Sequence, residues 1–121
     1  MNFKINDREW AIVEKTQEEL REIFSNYKYD GEPQQGKYFG LTYFDRQIIY
    51  LDKDLYYGQK KQTLYHELMH CYIGSFITSG NKVYNEEDLC DISANSHDII
   101  HNIVEAYFNN MCFKTPQENN W

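Results

Sequence analysis

The chain has 121 residues, enough for one domain with a modest core, and its formal net charge of -7 comes without a Lys/Arg cluster denser than "GQKK". That balance excludes non-specific binding to nucleic acid, whose phosphates need a basic patch. Cys71, Cys90 and Cys112 are widely spaced with no Cys-x-x-Cys pair, which excludes a zinc ribbon, and no signal core or run of ~18 apolar residues points to export or a membrane span, so the expectation is a soluble, cytoplasmic protein.

The opening "FKINDREWAIVEK" places Phe3, Ile5, Trp10 and Ile12 near alternation around the polar turn "NDR", which predicts a short hairpin. A helix from Asn6 is the rival, because Asn6 and Glu9 have the spacing of a capping box. Thr16 and Glu19 form the better box, ahead of Leu20, Ile23 and Phe24 on one face, and predict a helix over 16–26. "KYDGEPQQGK" is a loop by composition. "YFGLTYFDRQIIYLDKDL" reads as two antiparallel strands, about 37–43 and 47–51, around "FDR".

The period then changes. In "LYYGQKKQTLYHELMHCYIGSF", Leu64, Leu68, Met69 and Tyr72 make a helical stripe, with Gly74 near its end. "ITSGNKVY" is a loop. From Asn85 to about Met111 the pattern is helical again, with a bend expected near "NSHD", where Ser96 has the chemistry of a new cap. The order predicts an α+β domain.

His66 and His70 stand four apart on the first of these helices, on one face and about a turn from each other. With Glu67 beside the first, they fit the His-Glu-x-x-His pattern. Two neutral imidazoles hold Zn²⁺, and the carboxylate takes a proton from a water on that ion. A third protein ligand is required. Cys71 is a poor choice because it adjoins His70 and points off the ligand face. Glu86, Glu87, Asp88 and Asp91 in "NEEDLCD" are the candidates. Glu87 is favoured, since Asp91 then falls one turn further on and can accept the second N–H of a ligand histidine. A solvated helix N-terminus, where acids suit the dipole, is the competing reading of the same stretch. His97 and His101 form a second pair four apart, with no acidic flank that suggests a metal. One of them, or Tyr72 or Tyr84, is a candidate to stabilise an oxyanion.

"QTLYHELMHCYI" followed by "EEDLCDISAN" resembles the small HExxH proteins of the ImmA/IrrE-type metallopeptidase group, many of them encoded by phages and mobile elements. The upstream strand pair and the closing "IIHNIVEAYF" fit the same pattern. The resemblance implies a minimal zincin of gluzincin type: a small antiparallel sheet packed on the HExxH helix and a C-terminal ligand helix. It also implies Zn²⁺ on His66, His70 and Glu87, with Glu67 as general base and Asp91 behind the ligands. The expected activity is hydrolysis of peptide bonds in an intracellular protein, a repressor of the mobile element among the substrates implied. Many members carry Gly just before the second histidine, where this chain has Met69. A zincin-fold protein-binding module that is stabilised by zinc but catalytically silent is the alternative.

Overall fold

A computed structural model describes residues 1–26, 37–76 and 84–112, with side chains to residue 110. Strands β1 (Asn2–Ile5) and β2 (Arg8–Lys15) form the antiparallel hairpin that the alternation requires. Its two-residue turn, Asn6 and Asp7, has φ of 51° and 63°. These are left-handed values that suit the twist of a hairpin and that Asn and Asp adopt readily. The rival helix at Asn6 is therefore absent. Helix α1 (Gln17–Asn26) begins at the expected box. The Thr16 hydroxyl accepts the Glu19 N–H at 3.2 Å, and the Glu19 carboxylate accepts the Thr16 N–H at 2.9 Å. That bond from the Thr16 amide holds the Glu19 carboxyl below its ordinary range.

Strands β3 (Gly40–Tyr43) and β4 (Ile48–Asp52) make the second hairpin. The junction between the two hairpins departs from expectation. β2 and β4 lie side by side in parallel, from Ala11 against Ile48 to Lys15 against Asp52. The sheet is thus mixed, in the order β1-β2-β4-β3, rather than antiparallel throughout. A parallel neighbour needs a crossover connection, and α1 lies in the segment that supplies it. Among the described residues β2 and β4 are the central strands and β3 is an edge.

Helices α2 (Tyr57–Phe76) and α3 (Glu86–Cys112) cover one face of the sheet. Phe3, Ile5, Trp10, Ile12, Ile49 and Leu51 pack there against Leu64, Leu68 and Cys71 of α2 and Ile100, Val104 and Tyr107 of α3. The other face carries a smaller cluster, Leu20 on Leu41 and Tyr50, with the Phe24 and Tyr38 rings stacked 4.1 Å apart. α3 is one continuous helix through 95–98, with no new start at Ser96. Ser96 is buried, and its hydroxyl turns back to the Ser93 carbonyl at 3.4 Å instead of capping a new helix. The cap lies at Asn85, whose side-chain oxygen accepts the Asp88 N–H at 2.8 Å.

A polar pin sets α2 on the sheet. The Lys60 ammonium donates to the Glu14 carboxylate at 2.9 Å and to the Lys53 carbonyl at 3.0 Å. The Tyr107 hydroxyl donates to the other Glu14 oxygen, so one carboxylate joins β2, α2 and α3. Burial, reinforced by Glu14, pushes the Tyr107 phenol up. Among the described residues no helix is long and apolar enough to cross a membrane.

Candidate active site

α2 presents three kinds of side chain on three faces, as its 100° step per residue requires. Leu64, Leu68 and Cys71 point into the core. Thr63 and Glu67 are buried against the sheet. His66 and His70 are exposed and border a cleft of about 360 Å³. The opposite wall of that cleft is edge strand β3, with Phe39, Gly40, Leu41 and Thr42, and Phe24, Tyr38 and Phe44 extend the wall at its ends.

Glu67 is held in place. The Thr42 hydroxyl lies 2.7 Å from its carboxylate and 3.1 Å from its backbone carbonyl. Gly40 permits this close approach of strand and helix. A Cβ there would stand 2.9 Å from the Thr63 methyl, 3.0 Å from the Tyr50 carbonyl oxygen and 3.3 Å from Glu67 Cγ. Neither residue was legible as part of the site from sequence. In hindsight the only signal was a Gly and a Thr two apart in a strand, which put both on the face that meets α2. Behind Glu67, burial and its negative charge push the Cys71 thiol up, so Cys71 stays protonated and offers no thiolate.

The histidine rings are 5.0 Å apart between centres and inclined at 77°. Two imidazoles sharing a tetrahedral zinc, each ring centre ~3.2 Å from the ion, stand ~5.2 Å apart. The ring centres thus stand at the spacing of two such ligands. His97 and His101 differ, being nearly parallel at 8° and 5.6 Å apart, with His101 Nδ1 2.8 Å from the Tyr65 hydroxyl.

Glu87 and Asp91 are exposed on the N-terminal part of α3, away from the cleft lining. The cross-helix contacts Lys61–Glu105, Tyr65–His101 and Met69–Ser96 show α2 and α3 running antiparallel. In that register His70 is level with Ser96, and Glu87 starts about 13 Å further along the axis. Among the described residues no three His, Cys, Asp or Glu side chains gather as a metal would require. The structure thus unites His66, Glu67 and His70 at the cleft and leaves Glu87 and Asp91 apart from them. Tyr72 packs in the core, and Tyr72, Tyr84, His97 and His101 lie outside the cleft lining.

No family model matches the chain, and comparison with curated proteins and solved structures found no match.

Proposed function

We propose that the protein is a zinc-dependent endopeptidase acting on an extended segment of a protein inside the cell, a mobile-element repressor among the candidates. The observation that carries the reading is the buried Glu67, fixed by Thr42 on the wall of a cleft whose rim holds the His66–His70 pair. His66 and His70 would hold the ion, which when bound supplies a Lewis acid and lowers the pKa of water. Glu67 removes a proton from the attacking water as its oxygen bonds to the scissile carbonyl carbon. Glu67 then returns that proton to the amine nitrogen as the C–N bond breaks. β3 offers its edge for a substrate strand beside these groups.

Glu87 is the candidate third ligand and Asp91 its companion. Their recruitment requires the first turns of α3 to move toward the histidines. The separation between Glu87 and the pair favours a second reading, a cleft that docks a peptide without hydrolysing it. Elemental analysis of the wild type, His70→Ala and Glu87→Ala, with cleavage assays on wild type and Glu67→Gln, decides between them. The peptidase reading expects about one zinc per wild-type chain, its loss in both ligand variants, and loss of cleavage in Glu67→Gln with zinc retained. Zinc-loaded wild type that cleaves no unfolded protein would leave the docking module. No zinc uptake by the wild type would end the zincin reading.

A further inference from the structure

Gly74 lies inside α2, which continues past it to Phe76. Glycine is unfavourable within a helix, so its place is explained by what approaches it. A Cβ there would stand 2.5 Å from Phe44 Cε1 and 3.2 Å from its Cζ, so only glycine lets this ring rest on the helix. Phe44 opens the turn between β3 and β4, where its carbonyl accepts the Gln47 N–H at 3.2 Å. The Trp10 ring flanks it, 5.7 Å away and inclined at 84°. Held between strand turn, Trp10 and α2, the Phe44 side chain is still 40% exposed, and it borders the cleft.

His66, His70 and Gly74 follow at intervals of four and share one face of α2. The Phe44 ring therefore sits about one turn, or ~6 Å along the axis, beyond His70. Gly40 approaches Thr63, Thr42 bonds Glu67 and Phe44 meets Gly74, so β3 and α2 run the same way along the cleft. An extended peptide lying along β3 passes the histidines and then brings a side chain to the ring. Among the described residues the cleft lining holds one carboxylate, Glu67, and no lysine or arginine, although 26% of the chain is charged. A charged side chain at the ring would lose water and gain no partner. A large apolar side chain gains by covering it.

We infer that Phe44, seated on Gly74, is a specificity-determining wall of the cleft: it selects peptides with a large apolar side chain on the His70 side of the histidine pair and rejects a charged one there. The inference rests on the peptide-cleft reading above and adds a substrate class to it. Gly74 is a positioning residue that acts through Phe44, since a side chain at 74 displaces the ring.

The test passes a randomised library of acetylated, amidated heptapeptides over immobilised Glu67→Gln, and mass spectrometry reads the composition of the retained peptides. Leu, Met and Phe are expected to be enriched about fivefold or more over Asp and Glu, relative to the input. Adding Phe44→Ala removes most of that enrichment, and adding Gly74→Ala lowers it too. Gly74→Ala together with Phe44→Ala matches Phe44→Ala alone, because the new methyl group then has no ring to displace. Phe44→Lys is expected to reverse the preference toward Asp and Glu by about threefold or more, a gain that a folding defect does not produce. No retained peptides on Glu67→Gln, unchanged composition with Phe44→Ala, or no acidic gain with Phe44→Lys overturns the inference. Digestion of the same library by the zinc-loaded wild type separates the two readings. Retention of apolar peptides without any cleavage would end the peptidase reading and leave this one standing. Cleavage with no apolar preference beside the new termini would do the reverse.

Discussion

The bond between Thr42 and Glu67 gives the sharpest energetic prediction. Thr42→Val keeps the shape of the side chain and removes the hydroxyl. That hydroxyl has one proton and two acceptors on Glu67, and the carboxylate at 2.7 Å is nearer than the carbonyl at 3.1 Å. Thr42 is 5% exposed and Glu67 7%, so the bond is largely sheltered from bulk water. A hydrogen bond to a charged group in such a setting contributes about 1.5–3 kcal/mol. With an unfolding entropy of about 0.25 kcal/mol/K for a chain of this size, the loss lowers Tm by about 6–12 °C. Circular dichroism melts at pH 7 in chelator measure it without the stabilisation that a bound ion adds. In a Glu67→Gln background the acceptor is neutral, and the same substitution lowers Tm by only about 2–6 °C. Equal losses in the two backgrounds, or a loss below about 2 °C in the wild type, would refute the assigned bond. On the peptidase reading Thr42→Val also lowers kcat about tenfold or more with zinc content unchanged, because Glu67 loses its orientation.

Gly40→Ala forces a methyl group against the Tyr50 carbonyl and the Thr63 side chain, and urea titration is expected to show a loss of about 1–3 kcal/mol. Lys60→Met leaves Glu14 without its ammonium partner and costs about 3 kcal/mol in urea titration, whereas Lys60→Met with Glu14→Leu and Tyr107→Phe, which also removes the hydroxyl that Glu14 accepts, recovers most of it; failure of that triple variant to recover would mean the group does more than balance charge. Thr16→Ala breaks the α1 cap and destabilises at pH 7. The folded carboxyl of Glu19 sits below its ordinary value, chiefly through the Thr16 amide, so its contribution is present above pH ~4.5 and lost as pH falls through the lowered value; the effect of Glu19→Ala therefore shrinks in melts near pH 3.

Much of the fold was legible because local patterns carry it. Alternation marked both hairpins, a capping box placed α1, and the apolar stripes placed α2 and the second half of α3. The Asn6 helix failed where two caps competed, since left-handed φ at two successive residues serves a hairpin turn and not a helix. The new helix cap at Ser96 failed for a related reason. A serine with cap chemistry, once buried against Met69, bonds within its own helix. Of the site, the common face of His66 and His70 follows from a spacing of four, and the structure gives it a cleft. Thr42, Gly40 and Phe44 meet their partners across 25, 27 and 30 residues of chain, and no local period encodes such contacts.

Sequence alone therefore determined which segments are strands and helices, where most of them start, and which face of α2 carries the histidines. Those features depend on bonds within a few residues, so the chain states them wherever it is read. Tertiary structure alone decided that β2 and β4 run in parallel, that β3 is an edge, and that Glu67 is pinned by a strand hydroxyl. It also decided that Glu87, in the first turn of α3, lies beyond the level of His70. Each of these depends on how far a crossover carries the chain and how two helices slide against each other, and both are set by packing across the core.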